Sequence, residues 1–175
     1  MKTIKHYLIV FTGCIFLVMI SCQNTQEKEE LQSYKDQEAK EAENIQLVRN
    51  FYRLLDEVKL DSLDEIYADA HQLFYQSAAK PAIADDMKPF VEMFYNAFPD
   101  YTHHIDNIFA AGDKVVALIT YTGTHQNTFM ELEPTGNNFE YKGIFVFELM
   151  DGKISKFWGV EDELTMMRQL GLELR

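Results

Sequence analysis

The chain has 175 residues, of which 47% are hydrophobic, and 16 Lys and Arg stand against 28 Asp and Glu for a net charge of −12. This length predicts one domain with an appendage, and the hydrophobic share excludes wholesale disorder. The negative charge argues against nucleic-acid binding, because phosphate contacts need a cationic face. With only Cys14 and Cys22, the chain can build neither a disulfide framework nor a four-cysteine zinc cluster.

Residues 1–21 read as a signal peptide. Lys2 and Lys5 give a positive start, and a largely apolar run follows from Tyr7 to Ile20. A membrane-spanning helix needs about 20 apolar residues, so this run is too short to span a bilayer but suits the core of a signal peptide.

The end of this segment resembles a bacterial lipobox, Met19-Ile20-Ser21-Cys22, in which a small residue precedes the cysteine that would be lipidated. We therefore expect lipid on Cys22 and a membrane-anchored protein of the cell envelope. Gln23 after the cysteine favours the outer membrane of a Gram-negative bacterium, with the periplasmic or surface orientation left open. The alternative is an ordinary signal peptide with a chance cysteine.

Residues 22–43 are expected to form a charged tether. Seven acidic and three basic side chains fall between Gln23 and Glu43, with Leu31 and Tyr34 as the only sizeable apolar residues. Such a composition cannot bury a core, so we expect a solvated, partly helical spacer. The folded domain is then predicted to cover residues 44–175.

The first half of this domain has helical periodicity. Asn44 is available as the N-cap of a helix, and a second, short helix is predicted from Ser62 through Tyr67. A third helix is predicted before Pro99. The apolar faces of the first and third helices are formed by Ile45, Val48, Phe51, Tyr52 and Leu55, and by Met87, Phe90, Val91 and Phe94.

The second half changes to a period of two, which predicts four strands in two hairpins and a short closing helix. The predicted elements are Tyr101–Ala110, Lys114–His125, Asn138–Met150, Lys153–Glu161 and the helix Leu164–Leu170. Asp151-Gly152 is the strongest hairpin signal in the chain. Helices followed by a long antiparallel sheet predict an α+β fold.

Alternation along the strands predicts which side chains share a face. In the last strand Ile154, Trp158 and Val160 fall on one face, and Asp162 continues it. In the second strand Tyr121 and His125 share a face.

Several short motifs, taken in order, resemble the SnoaL-like polyketide cyclase or ester cyclase family of the nuclear transport factor 2-like superfamily. They are Ala97-Phe98-Pro99-Asp100-Tyr101, Gly123-Thr124-His125, Pro134-Thr135-Gly136, Asp151-Gly152-Lys153-Ile154, Trp158 with Asp162, and Gln169-Leu170-Gly171. The resemblance implies a cone of N-terminal helices packed on a curved antiparallel sheet (the cystatin-like arrangement), a short C-terminal helix and an apolar pocket.

The resemblance also implies a chemistry. Characterised members carry out an aldol-type cyclisation, in which an aspartate near the end of the last strand takes a proton from carbon without metal or cofactor. The matching position is Asp162, whose pKa would rise if aromatic side chains such as Trp158 kept it dry. The alternative is that Asp162 only caps the final helix.

His125 is the second catalytic candidate, because it could polarise an enolate oxygen. The alternative is a hydrogen-bonded structural histidine. Ligand-binding candidates are Tyr121, Trp158, Phe147, Tyr52, Phe94 and Phe98, each of which could equally belong to the plain core. No metal site is expected, because His103 and His104 are adjacent on a strand and point to opposite faces.

Three classes of function follow. The first is a cofactor-free cyclase, isomerase or lyase acting on a small hydrophobic carbonyl compound. The second is a lipoprotein that binds a ligand or docks a partner without catalysis. The third is a structural homodimer formed through the sheet, indicated by Phe145 and Val146, which make one strand apolar on both faces.

Overall fold

The computed structural model describes residues 2–75 and 82–172. The chain divides into two units, Met1–Lys40 and Glu41–Arg175. Helix α1 runs from Lys2 to Asp56, and its side chains from Gln26 to Lys40 are exposed. The first unit is thus helical and solvated where its side chains are described.

The second unit contains an α+β domain built on one five-stranded sheet. The sheet order is β1-β5-β4-β3-β2, in which β1 is parallel to β5 and every other pairing is antiparallel. The strands are β1 Tyr67–Tyr75, β2 Thr102–Ala111, β3 Lys114–Thr124, β4 Asn138–Met150 and β5 Lys153–Glu161. The remaining elements are a 3₁₀ helix Leu60–Glu65 and the helices α2 Ala84–Ala97 and α3 Glu163–Gln169.

The core lies between the inner face of the sheet and the helices. The Phe51 ring of α1 packs edge-on against Phe147 and at an angle against Phe157, at centroid distances of 5.5 Å and 6.0 Å. Phe94 of α2 meets Phe98 and Phe129 edge-on. Aromatic packing of this density fixes the helices over one face of the sheet.

Two expectations about the first half of the domain are wrong. Helix α1 does not begin at Asn44, whose side chain is buried and donates a hydrogen bond to the Gly112 carbonyl oxygen at 2.9 Å. The stretch expected to be a short helix through Tyr67 is helical only from Leu60 to Glu65, as a 3₁₀ helix, and Tyr67 begins β1. Strand β1 was missed because an irregularity between Tyr67 and Gln72 interrupts its alternation.

A bulge in β5 decides which side chains face inward. Ile154 pairs with Leu149 and Lys156 pairs with Glu148, so Ser155 is the extra residue. The Ser155 hydroxyl donates to the Glu148 carbonyl oxygen at 2.9 Å. Because a strand alternates with period two, one inserted residue reverses the faces of everything that follows.

Candidate active site

The inner face of the sheet and the helices α1 and α2 enclose a cavity of about 80 Å³. Most of its wall is aromatic, and its polar groups are a carboxyl, an imidazole and tyrosine hydroxyls. The lining residues are Phe51, Tyr52, Leu55, Phe90, Val91, Phe94, Tyr95, Tyr101, His103, Tyr121, Tyr141, Phe145, Phe157 and Glu161. Among the described residues that line the cavity there is no lysine or arginine.

Glu161, the last residue of β5, supplies the carboxyl group. Beyond the Ser155 bulge the odd-numbered positions turn inward, and Phe157 and Gly159 are buried ahead of Glu161 on the same face. The partner of Glu161 on β4 is Gly143. A Cβ atom at Gly143 would lie 3.0 Å from the Tyr121 ring and 3.2 Å from the Glu161 Cγ, so glycine leaves the space that the carboxyl and the tyrosine share.

The environment of Glu161 favours its neutral form. Burial raises the pKa of Glu161 from 4.5 to about 7, and the negative charge of Glu163 acts in the same direction. A hydrogen bond from the Tyr121 hydroxyl partly offsets this rise in the pKa. A carboxyl group with a pKa near neutrality can both take and return a proton at physiological pH.

Three tyrosines form a stacked group beside this carboxyl. Tyr121 stacks on Tyr141 at 4.6 Å and on Tyr101 at 5.8 Å, and the Tyr101 and Tyr141 hydroxyl oxygens are 2.6 Å apart. Burial raises the pKa of all three phenols well above 10. They are therefore neutral hydroxyl groups that can donate hydrogen bonds to a ligand oxygen.

A histidine and an aspartate form the other polar part of the site. The Asp56 Oδ1 at the end of α1 accepts hydrogen bonds from the His103 backbone N–H at 3.1 Å and from the His103 Nδ1 at 2.6 Å. The His103 side chain is only 6% exposed, and its ring contacts those of Tyr52, Tyr101 and Tyr121. One end of a helix thus holds an imidazole in the cavity wall.

The expectation that Asp162 faces the pocket is wrong. Asp162 is exposed and caps α3, where its carboxylate accepts from the Thr165 backbone N–H at 3.1 Å and the Thr165 hydroxyl at 2.7 Å. These bonds lower the pKa of Asp162 below its ordinary value. The alternative reading, a helix cap, describes this residue, and the bulge at Ser155 moves the inward position back by one residue.

The same reversal removes Trp158 from the predicted pocket. Trp158 is 37% exposed and stacks on Phe74 at 5.4 Å on the outer face of the sheet. Of the other predicted ligand-binding residues, Tyr121, Tyr52 and Phe94 line the cavity. Phe147 and Phe98 are fully buried in the core and do not line it.

His125 is also not part of the cavity. Its side chain is fully buried, its ring packs against Phe98 at 5.5 Å, and its Nδ1 lies 3.1 Å from the Thr135 hydroxyl oxygen. Burial lowers the pKa of His125, so the ring is neutral. The structural alternative therefore describes His125.

Sequence reasoning missed Glu161, His103 and Asp56. His103 and His104 do point to opposite faces, with His104 77% exposed. In the sequence this adjacency argued only against a metal site and did not indicate a role for His103. The Asp56–His103 bond joins residues 47 apart, which no local pattern reveals. In β5, Phe157 and Trp158 gave both faces an aromatic residue, and only the bulge decides between them.

Among the described residues, no group of three or more His, Cys, Asp or Glu side chains is arranged to hold a metal ion. No helix in this part of the chain contains a stretch long and apolar enough to cross a membrane.

Residues 45–170 match the family model of the SnoaL-like polyketide cyclases, nearly the whole length of the second unit. This chain belongs to the SnoaL-like polyketide cyclase family. Among curated protein sequences, none is similar enough to count as a match.

Solved structures of SnoaL-like proteins share this fold. AclR of Streptomyces galilaeus, a proposed hydroxylase, is 25% identical with a TM-score of 0.68, over 74% of this chain and 96% of its own. IdmH of Streptomyces antibioticus, a proposed polyketide cyclase, is 26% identical with a TM-score of 0.67, over 74% and 99% of the two chains. A SnoaL-like protein of Jannaschia is 19% identical with a TM-score of 0.67, over 77% and 95%.

Proposed function

We propose that this protein is a cofactor-free enzyme that abstracts a proton from carbon in a small hydrophobic carbonyl compound. The enolate so formed would undergo aldol-type cyclisation or isomerisation, as membership of the SnoaL-like polyketide cyclase family suggests. The observation that carries the proposal is the Glu161 carboxyl group, which lines an aromatic cavity with its pKa raised to about 7.

The mechanism assigns one task to each group around Glu161. The Glu161 carboxylate takes the proton from the carbon next to the carbonyl, which breaks the C–H bond and leaves an enolate. The Tyr121 hydroxyl, bonded to Glu161 before the substrate enters, is one neutral donor for the developing charge. The surrounding rings exclude water, which strengthens these interactions and keeps the base weakly solvated.

The cavity also suggests the size of the substrate. Pockets for drug-sized ligands measure roughly 300–1,000 Å³, whereas this cavity measures about 80 Å³. A single-ring ketone is therefore a better first probe than a fused polycyclic polyketide.

The direct test is proton exchange in deuterated water, with cyclohexanone as the probe and NMR as the measurement. The wild-type chain should speed deuterium uptake next to the carbonyl, and Glu161→Gln should abolish the effect while Glu140→Gln, at an exposed position of β4, retains it. Equal exchange by wild type and Glu161→Gln would refute the proposal.

A second candidate function is a non-catalytic receptacle for the same class of ligand, favoured by the aromatic lining of the cavity. Its distinguishing result is saturable binding of cyclohexanone, seen as shifts of the cavity-wall methyl and ring signals, with no exchange at its carbon atoms. Binding that also survives Glu161→Gln without exchange would favour the receptacle over the enzyme.

We further propose that the protein is anchored to the bacterial outer membrane by lipid on Cys22. The support is the sequence Met19-Ile20-Ser21-Cys22 after a short apolar run. Mass spectrometry of the chain from a Gram-negative host should find an N-terminal acylated cysteine, and Cys22→Ser should release the protein from membranes. An unmodified cysteine, or cleavage elsewhere, contradicts this anchor.

A homodimer through the sheet is the last proposal. The outer apolar row, defined as Phe74, Trp158, Val146, Val116 and Phe109, crosses all five strands in register. Trp158 and Phe109 in this row are 37% and 49% exposed. A second copy covering the row would bury this apolar surface.

A further inference from the structure

We infer that His103, oriented by Asp56, is the group that protonates the carbonyl oxygen of the substrate while Glu161 removes the proton from carbon. The inference rests on the proposed function and extends it, because it assigns a second catalytic residue and restricts the substrate class. It is based on the geometry of the hydrogen bonds between Asp56, at the end of α1, and His103 on β2.

The contact with Asp56 determines which nitrogen of the His103 imidazole donates a hydrogen bond. A carboxylate oxygen can only accept, so the 2.6 Å contact with the Asp56 Oδ1 makes the His103 Nδ1 the donor. The Nε2 is then the ring atom left to exchange a proton with a ligand. The carboxylate also stabilises the positive charge of the ring when Nε2 carries a proton, as the aspartate of a catalytic triad does.

The imidazole ring of His103 is also held in a fixed orientation. Asp56 also accepts from the backbone N–H of His103 at 3.1 Å, so one oxygen holds both the strand and its side chain. The rings of Tyr52, Tyr101 and Tyr121 lie 5.3, 5.1 and 5.0 Å from the imidazole. A surface histidine would have no such confinement: the neighbouring His104 is 77% exposed.

His103 and Glu161 are also placed to contact the same ligand. His103 and Glu161 line the same cavity. Tyr121 links them, because its hydroxyl donates to Glu161 and its ring lies edge-on to that of His103. A molecule of a few atoms held beside Tyr121 can therefore meet the base and the acid together.

The proton balance is complete without a further reactant. The C–H bond breaks and its proton passes to Glu161, while the proton on Nε2 passes to the carbonyl oxygen and gives a neutral enol. Return of the Glu161 proton to another carbon of a conjugated enol, with the enol proton passing back to Nε2, gives an isomer. Attack of the enol carbon on a second carbonyl group forms the C–C bond, while the enol proton returns to Nε2 and the Glu161 proton passes to the second carbonyl oxygen, which gives the aldol product.

The charges around the cavity restrict the substrate to an uncharged ketone or aldehyde. Glu161 and the nearby Asp56 are both acidic, and no lysine or arginine occurs among the described lining residues. A carboxylate or phosphate elsewhere on the substrate would be repelled, because the protonated His103 ring is engaged by the reacting oxygen and no lysine or arginine among the described lining residues compensates a second negative charge. Acidic compounds, which a more basic pocket could bind, are therefore not expected as substrates.

The test uses two probes with the full chain. Cyclohexanone reports exchange at carbon, and 4-nitrophenolate, a planar oxyanion like an enolate, reports binding at the oxygen site by its absorption. His103→Gln should lower exchange by about 100-fold and weaken 4-nitrophenolate binding by about tenfold. Asp56→Asn should show smaller losses in both, since the ring remains but loses its orientation, and His104→Gln should match wild type.

A nitrogen-15 NMR spectrum of the wild-type chain covers the case in which a variant fails to fold. It should show His103 protonated at Nδ1 and should show the Nε2 signal shifting when 4-nitrophenolate binds. The inference is overturned if Nε2 is unaffected by the bound probe, or if a folded His103→Gln variant exchanges and binds like wild type. Wild-type behaviour of Asp56→Asn would overturn the positioning role of Asp56.

Failure of the inference and failure of the proposed function give different results. Glu161→Gln should lose exchange but bind 4-nitrophenolate at least as tightly, because a negative neighbour is gone. If exchange is lost in Glu161→Gln but unchanged in His103→Gln, the result supports Glu161 as the base and refutes His103 as the acid. Exchange unchanged in Glu161→Gln removes the proposed function, and 4-nitrophenolate binding still decides whether His103 meets the oxygen.

Discussion

At the scale of single residues, the proposed chemistry depends on which of two adjacent carboxylates is the more deeply buried. Glu161 faces the aromatic cavity and its pKa is raised to about 7, whereas Asp162 faces solvent and its pKa is lowered by Thr165. The two side chains are neighbours in sequence and opposite in environment. Burial, rather than residue type, selects the acid–base group.

The raised pKa of Glu161 predicts how stability changes with pH. Because the folded state holds the Glu161 proton more tightly than the unfolded chain does, this contribution is full below pH 4.5 and is lost as pH rises through about 7. At about 1.4 kcal/mol per pKa unit the whole loss is at most about 3.5 kcal/mol.

Glu161→Gln should therefore unfold at higher denaturant than wild type at pH 8, with a smaller difference at pH 4. Urea titrations at the two pH values measure this, with Glu140→Gln, at an exposed position of β4, as the matched control. A difference between the two proteins that does not grow with pH would show that Glu161 is not buried in its charged form.

Asp162 carries a different prediction. Asp162→Ala should lower the thermal midpoint by removing the cap of α3, and Asp162→Asn should largely keep it, because asparagine is as good an N-cap. Neither variant should change proton exchange. A large loss of exchange in a stably folded Asp162→Asn protein would return the catalytic role to this residue.

At the scale of elements, the ends of the two strands in the β4–β5 hairpin could be predicted to the residue. The faces on which the β5 side chains lie could not. Asp151 and Gly152 have positive φ angles of 52° and 73°, which is what a two-residue type I′ turn needs, and Asp-Gly signals it in sequence. The Ser155 bulge that follows leaves no such signal. The faces of Trp158, Val160 and Asp162 were therefore assigned in reverse.

Strand β4 contributes the space for the Glu161 carboxyl. Gly143→Ala places a Cβ at 3.0 Å from the Tyr121 ring and 3.2 Å from the Glu161 Cγ, tighter than an ordinary contact. Displacement of the Glu161 carboxyl should reduce exchange by about tenfold to a hundredfold. Lys142→Ala, one residue away on the exposed outer face, should not.

Chemical shifts of Tyr121 distinguish displacement from unfolding in the Gly143→Ala protein. The prediction requires a change at Tyr121 with the rest of the spectrum conserved. Full exchange activity with an unchanged Tyr121 signal would mean that the space at Gly143 has no part in positioning the base.

At the scale of the whole molecule, the family and the α+β class could be predicted from ordered short motifs, and residues 45–170 match that family. The site could be predicted only in part. Tyr121, Tyr52 and Phe94 could be found because strand alternation and helical spacing place them on apolar faces, while Asp56 and His103 meet across 47 residues of chain. Long-range pairs between a helix end and a strand leave no periodic pattern in the sequence.

The outer apolar row predicts self-association of the whole molecule. Ile144→Lys introduces a charge beside the row, at a position 53% exposed and paired with Val160, and should convert a dimer to a monomer in sedimentation. Lys142→Ala on the same strand and face is the control. A wild-type protein that sediments as a monomer at all concentrations would contradict the proposed homodimer.

The central claim is that the Glu161 carboxyl group is held dry in the cavity and titrates near neutrality. Carbon-13 NMR of the chain labelled at its glutamate carboxyl groups measures this directly, with the Glu161 signal assigned by its loss in Glu161→Gln. The account predicts a midpoint near pH 7 for this one resonance. A midpoint near 4.5, the ordinary value for glutamate, would contradict it.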